Sequence, residues 1–559
     1  MATTQKTRRR GQQRTAGVPR PWWRSAAIYE VYVRSFADGN GDGIGDLAGV
    51  RAKLPYLRDL GVDAIWFTPW YPSPMADGGY DVADYRDIDP MFGTLGEAEQ
   101  LIEEAAGFGI RVIVDIVPNH CSDRHRWFRE ALAAAPGSRE RNRFWFRTGR
   151  GKEGELPPND WSSIFGGSAW TRTQSDDGVP GEWYLHLFAP EQPDLNWDND
   201  EVRQEHEDVL RFWFDRGVAG VRIDSAALLF KDAGLPDFDA DNAPAPHPFT
   251  DRDELHEVYR SWRALADAYA GDRILIGEIW LPDPDRFARY LRPDEMHTAF
   301  NFDLLACPWE PARLRACIDA TLAAHAPVGA TATWVLSNHD VTRHVTRYGR
   351  KDTKFEFAAK TREIPEVDLE VGTRRARAAA LLTLSLPGAV YIYQGDELGL
   401  PEVEDLPTDA LQDPMFFRSN GRDPGRDGCR VPLPWDGGAP PFGFSPAGAT
   451  AEPWLPQPSS WGELSAARQE ERDDSMLALY REALRLRRSE PELQDGPLRW
   501  LSALPGVLAF ARGERVVCIL NLSSEAVELP EHEALLLASD PLEGGRLPSD
   551  AAAWLRLFP

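Results

Sequence analysis

Reactive side chains recur at the carboxyl ends of short apolar runs in this chain. "DIVPNH" carries Asp115 and His120, "GVRIDS" carries Arg222 and Asp224, "GEIW" carries Glu278, and "SNHD" carries His339 and Asp340. Arg222 and Asp224 stand two residues apart, so on a strand both side chains point to one face. A guanidinium there favours the ionised carboxylate and is expected to lower its pKa. Glu278, between Gly277 and the apolar Ile279 and Trp280, sits where a carboxyl stays protonated near neutral pH. One ionised and one protonated acid are the working pair for displacement with retention at the acetal carbon of a sugar. That chemistry requires the nearest oxygens of Asp224 and Glu278 to lie roughly 5–5.5 Å apart. A single strand-end acid is as readily a structural ion-pair partner, whereas Asp224, Glu278 and Asp340 arriving together are a catalytic signature.

The elements that must position these groups alternate between β-rich runs and helical patterns, the signal of a parallel sheet wrapped by helices. The strands read as "IYEVYVRSF", "DAIWFTP", "IRVIVDIVP", "VAGVRIDS", "RILIGEIW", "TAFNFDLL", "ATWVLSNHD" and "GAVYIYQGDE". Eight strands with intervening helices imply a (β/α)₈ barrel over 23–120 and 200–493, in which reactive groups gather at the carboxyl ends of the strands. The polar stretch 121–199, rich in Gly, Trp and Pro, is too long for an ordinary connection and is expected to form an inserted subdomain. A Gly-, Pro- and Asp-rich loop follows the eighth strand, and "SMLALYREALRLRR" is the closing amphipathic helix. From 494 to 559 the pattern changes to short strands, as expected of a small antiparallel β domain.

At 559 residues the chain has room for more than one core. Its net charge of −26 argues against nucleic acid as a partner. No run approaches the ~20 apolar residues of a membrane span. Residues 1–22 are basic, but no apolar segment follows, so they read as a disordered tail rather than a secretory signal. Five scattered cysteines without CxxC spacing suit a reducing cytoplasm. The 20 tryptophans suit sugar faces as well as cores, and for any single one the core is the better reading.

"DGNGDGIGDL" opens like an EF-hand loop, with oxygens at Asp38, Asn40 and Asp42 and a turn at Gly43. The bidentate Glu of such a loop belongs at position 12, where Gly49 stands, and no second loop of this kind occurs. A calcium sensor is thereby excluded.

Taken together, "DIVPNH", "GVRIDS", "GEIW" and "SNHD" in this order, with "QPDLNWDN" in the insertion, resemble glycoside hydrolase family 13, the α-amylase family, in its α-glucosidase and oligo-1,6-glucosidase branch. The resemblance implies Asp224 as nucleophile, Glu278 as acid and base, and Asp340 as the third carboxylate that grips ring hydroxyls. It further implies that Asp77, Tyr80, His120, Phe188, Arg222, His339 and Arg426 bind the sugar or orient the nucleophile, with Arg422 as the competitor of Arg426. Asp38, Asn40, Asp42, the Ile44 carbonyl and Asp46 would hold a structural Ca²⁺ or Mg²⁺, with no organic cofactor. Ser225 beside the nucleophile is similar to the α-1,4 enzymes, where a Val marks the α-1,6 enzymes. The implied activity is exo-acting release of α-glucose from maltose and short α-glucosides by a monomer or homodimer, with a transglucosidase or sugar isomerase as the alternative. A non-enzymatic relative, the ectodomain of an amino-acid transporter heavy chain, would have a membrane span and damaged acids; here all three acids are in place.

Overall fold

The computed structural model describes residues 21–175, 177–238, 246–356 and 365–559. The basic tail expected over 1–22 lies outside the described residues except for its last two. Eight strands form one all-parallel sheet: β1 Ala27–Val31, β2 Ala64–Phe67, β3 Arg111–Ile116, β4 Gly220–Ile223, β5 Ile274–Gly277, β6 Thr298–Ala299, β7 Thr333–Val335 and β8 Ala389–Tyr393. Their order is β7-β8-β1-β2-β3-β4-β5-β6, a barrel wall with one seam between β6 and β7. The Thr333 hydroxyl donates to the Ala299 carbonyl across that seam. The chain is therefore a (β/α)₈ barrel with separate antiparallel sheets.

The barrel strands are buried over nearly their whole length, as expected where helices cover the outer face. Ile28, Trp66, Ile113, Ile276 and Tyr391 pack together inside. Outside lie α1 Leu47–Leu60, α2 Leu95–Gly107, α3 Asp200–Asp215, α4 Leu255–Asp267, α5 Pro311–His325, α6 Leu369–Ser385 and α7 Met476–Ser489. A capping box fixes the start of α2, with the Thr94 and Glu97 side chains each bonded to the other's backbone N–H. In α7 the Arg487 guanidinium donates to the carbonyls of Leu384, Leu386, Gly388 and Ser25, which ties the closing helix to the starts of β8 and β1.

Two expected strands are shorter than the sequence pattern suggests. The run "TAFNFDLL" pairs only at Thr298–Ala299, because the Asn301 side chain accepts from the Leu304 N–H and turns Phe302–Ala306 into a helix. "IYEVYVRSF" leaves the sheet after Val31, and Val33–Phe36 forms one helical turn. A short apolar run does not distinguish strand from buried helix by periodicity.

Within the stretch between β3 and α3, Phe146–Arg147, Pro180–Leu185 and Trp170–Gln174 form a three-stranded antiparallel sheet over a core of Trp145, Trp161, Trp170 and Leu187. It is held to the barrel by a fully buried ion pair, Lys231 Nζ to Asp194 at 2.7 Å, and by the Trp197 indole donating to the Pro118 carbonyl. The carboxyl-terminal strands Leu498–Trp500, Val507–Arg512, Val516–Asn521, Ala551–Arg556 and Ala534–Ala538 make a five-stranded antiparallel sheet in that order. The Trp554 indole donates from it to the Leu381 carbonyl of α6.

Candidate active site

Register assembles the centre of the site. Asp115 on β3 pairs directly with Arg222 on β4, so their side chains enter the barrel interior side by side. The Arg222 guanidinium, 1% exposed, is the hub. Its Nη1 lies 3.0 Å from Asp115 and 2.7 Å from Asp224, and its Nη2 lies 2.8 Å from Glu278. One planar cation thus bridges the carboxyls of Asp224 and Glu278. Above them Ser225 takes a left-handed backbone, φ 47°, which aims its N–H at Glu278 Oε2, 2.8 Å away. The Trp280 indole donates to Glu278 Oε1 at 3.0 Å.

Asp340 arrives at the same rim from the β7 side. It accepts from Arg426 at 3.1 Å and Arg430 at 2.9 Å, and its other oxygen lies 3.2 Å from His339 Nε2. His339 is held from behind by Glu30 of β1 at 2.5 Å, and Tyr80 stacks on its ring, with centroids 5.2 Å apart. The Tyr80 hydroxyl donates to Asp115. Asp77 closes the far wall, accepting from Arg426 at 2.5 Å and from the Gln192 amide at 2.9 Å. The same amide nitrogen lies 3.0 Å from His120 Nε2, and Phe188 packs on the His120 ring.

Asp77, Tyr80, His120, Phe165 and Phe188, with the three acids, Ser225 and Arg426, line an inner recess of about 60 Å³. It opens into a vestibule of about 560 Å³ walled by Ile164, Leu228, Thr250, Trp280 and Met415. Ser225, Glu278, Asp340 and Arg426 line both chambers and mark the passage between them.

The three acids occupy different electrostatic positions. Burial, assisted by Asp224 and Asp340 and opposed by Arg222, pushes the Glu278 carboxyl up to about 7, so it is largely protonated below that pH. Burial acts to raise Asp340 too, but His339, Arg426 and Arg430 overcome it and hold that carboxyl far below the ordinary range. Asp224 corrects the sequence expectation. Burial raises it above an ordinary aspartate, and the attraction of Arg222 offsets only part of the rise. Burial also takes His120 down to about 4 and His339 well below an ordinary imidazole.

The description "Alpha amylase, catalytic domain" matches residues 30–496. The chain belongs to the α-amylase family. This α-amylase-family chain is a glycoside hydrolase by domain, similar at 38% identity to a probable alpha-glucosidase of Rhizobium meliloti, over 94% of this chain and 93% of that one. It is 33% identical to the oligo-1,6-glucosidase of Heyndrickxia coagulans, over 91% and 94% of the two chains. Among solved structures it is similar to an alpha-glucosyl transfer enzyme, at TM-score 0.82 and 35% identity, covering 96% of this chain and all of the other.

In this α-amylase-family site the structure brings together all ten of the acid, sugar-binding and orienting residues named from the sequence. Between the two competing arginines, Arg426 lies in the recess with Asp77, Asp340 and Asp413, while Arg422 donates to the Ser419 carbonyl at an exposed turn. Sequence reading missed Arg430, Asp413, Gln192, Glu30 and Phe165. Gln192 stands in the quoted "QPDLNW" segment and Arg430 in the same "RDGCRVPLPW" stretch as Arg426, so both were within reach of a closer reading. Glu30 lies 309 residues from His339, and Asp413, although on the same loop as Arg426, stands in no motif; neither carried a signal.

The loop from Asp38 to Asp46 is organised around its own backbone. Asp38 accepts from the N–H of Asn40, Gly41 and Gly43, Asn40 from Asp42, Asp42 from Ile44, and Asp46 from Gly39 and Gly49. Gly49 is required here, since a Cβ would stand 2.0 Å from the Ala37 carbonyl oxygen. Among the described residues no three His, Cys, Asp or Glu side chains gather as a metal-holding group. The donor types still suit a hard cation. Burial raises the Asp46 carboxyl, Asp38 and Asp42 add to the rise, and no Lys or Arg forms an ion pair with any of the three among the described residues.

Proposed function

We propose that the chain is a retaining, exo-acting α-glucosidase that releases α-glucose from the non-reducing end of maltose and short α-1,4-linked glucosides. The observation that carries this reading is the Arg222 guanidinium bridging Asp224 and Glu278 at the floor of a recess closed at its far end by Asp77 and Arg426. Two carboxyls bridged by one guanidinium suit the short separation of a retaining pair better than the wider gap that an inverting enzyme needs for its water.

In this reading Asp224 attacks C1 while Glu278 gives its proton to the glycosidic oxygen. The leaving sugar departs through the vestibule, and Glu278, now a carboxylate, takes a proton from the water that displaces Asp224. Asp340, ionised throughout, and Asp77 accept from ring hydroxyls; Arg426 donates to them; His120 and His339 offer neutral imidazoles. Tyr80 and Phe188 cover the apolar faces of the sugar. The far end of the recess, blocked by the Asp77–Arg426 pair, supports exo action. Ser225, at the passage, supports α-1,4 over α-1,6 preference.

A transglucosidase or isomerase uses the same covalent intermediate. It is supported by the likeness to an alpha-glucosyl transfer enzyme and by the wide apolar vestibule, where Ile164 is 51% exposed. Product analysis on maltose separates the readings. Two glucose per maltose and little oligosaccharide, even at high maltose concentration, is the expected result; accumulation of new α-linked oligosaccharides or a rearranged disaccharide would establish the rival.

A structural Ca²⁺ or Mg²⁺ held by Asp38, Asn40, Asp42, the Ile44 carbonyl and Asp46 belongs to the same proposal. It is supported by the hard oxygen donors and the uncompensated repulsion of three carboxylates; such an ion would neutralise that charge beside the start of α1. Exhaustive chelation is expected to lower the unfolding temperature by several degrees and Ca²⁺ or Mg²⁺ to restore it. Identical unfolding with and without chelator would remove the ion from the proposal. No described helix is long and apolar enough to cross a membrane. The five cysteines, none of them bonded in pairs, support a reducing compartment such as the cytoplasm.

A further inference from the structure

Trp280 lies two residues beyond Glu278 and is 39% exposed, whereas most large aromatic side chains of this chain are buried. Its ring lies flat on Phe302, with centroids 3.6 Å apart and planes 9° apart, at the wall of the vestibule. From that fixed position the indole N–H reaches Oε1 of Glu278. The other oxygen, Oε2, takes Arg222 Nη2 and the Ser225 N–H, each at 2.8 Å. All three partners are donors with no acceptor capacity. Oε2, facing two of them and one a cation, has no room for a proton of its own. The dissociable proton of Glu278 therefore sits on Oε1, beside the indole.

We propose that Trp280 is a positioning residue for the acid–base cycle: its N–H, aimed by the stack on Phe302, holds Oε1 as the proton-carrying oxygen and supports the carboxylate left when the proton departs. In the first half-reaction an Asp224 oxygen bonds to C1 as the C1–O bond breaks, the bonding pair leaves with the glycosidic oxygen, the Oε1 proton passes to that oxygen, and the alcohol departs neutral. Oε1 then carries negative charge against the indole N–H. In the second half-reaction Oε1 takes a proton from water as the water oxygen bonds to C1 and the C1–Asp224 bond breaks. The charged groups acting on Glu278 are Arg222, Asp224 and Asp340, and the neutral donors are the Ser225 N–H and the indole. The indole is the one of these contacts that reaches Oε1.

The inference rests on the reading of Glu278 as the acid, and its test is built to fail separately from that reading. Trp280→Phe keeps a flat ring on Phe302 and deletes the N–H. A hydrogen bond donated to the carboxylate favours the ionised form, so its loss raises the pKa of Glu278. The alkaline limb of the kcat/KM profile on maltose is expected to move up by roughly half to one pH unit, with an unchanged unfolding temperature. In parallel, the carboxyl ¹³C resonance that disappears in Glu278→Gln reports the same titration without turnover and is expected to move by the same amount. A resonance that titrates in Trp280→Phe as in the unaltered protein overturns the inference, even where kcat falls, because Trp280 is then only a wall of the vestibule. If the unaltered protein cleaves no α-glucoside, the proposed function fails while the ¹³C titration still decides the role of Trp280.

Discussion

Asp224→Asn is expected to lower kcat/KM on maltose by on the order of 10⁴-fold or more, with the unfolding temperature at neutral pH unchanged or higher. The kinetic half follows from the proposed covalent step, since an amide oxygen does not form the glucosyl ester. The stability half follows from electrostatics. Asp224 has a folded pKa above its unfolded one, chiefly through burial. Such a group favours the fold only where it is protonated, and it costs stability as pH rises through the folded value. Wherever Asp224 is ionised it is therefore a burden carried for function, and an isosteric amide that still accepts from Arg222 relieves it. Steady-state kinetics and thermal unfolding of the purified variant check both halves. Residual turnover above about a hundredth of the original would remove Asp224 as nucleophile. A drop of several degrees in unfolding temperature would make it a structural ion-pair partner instead.

The second large effect is on folding. Arg222→Met is expected to destabilise the protein by about 3–5 kcal/mol at pH 8, because Asp115, Asp224 and Glu278 lose their shared cation while remaining buried. The deficit has a definite pH dependence. Burial already raises all three carboxyls, and without Arg222 their folded pKa values rise further. Protonation removes the uncompensated charge, so the loss relative to the unaltered protein is full at pH 8 and shrinks as pH falls toward 5. Denaturant unfolding of both proteins at the two pH values measures this. A deficit independent of pH would attribute the loss to packing of the long side chain over Trp66, whose ring lies 5.2 Å from the guanidinium carbon. Arg222→Lys is not an escape from the effect, since a point charge does not fork between Asp224 and Glu278 as a planar guanidinium does.

Much of the site was legible in the chain because barrel chemistry stands at strand ends, and strand ends are local. The apolar runs before Asp115, Asp224 and Glu278 are true strands, and period-2 spacing placed Arg222 and Asp224 on one face as observed. The run around Thr298 was misread for an equally local reason, the cap supplied by Asn301, which outweighs the apolar pattern after it. Gly49, which looked like the lost clamp of a calcium loop, is held to glycine by the Ala37 carbonyl, a contact that counting positions does not reveal.

Residue order was thus enough to name the barrel, the three acids and the family they belong to, since each depends on neighbours a few positions apart. The raised carboxyl of Glu278 was also legible from its apolar neighbours, but the direction for Asp224 was not. Pairing Arg222 with Asp224 on a strand suggested a lowered carboxyl, but the sign depends on burial, which is the sum of every element packed around the site. The same holds for the recess. Asp77, Gln192, Asp340 and the pair Asp413 and Arg426 come from four separated segments, and only closure of the barrel beneath the insertion and the loop after β8 brings these groups together. Local sequence chose the reactive groups; the tertiary structure set their dielectric surroundings and their partners, and with them which acid holds a proton.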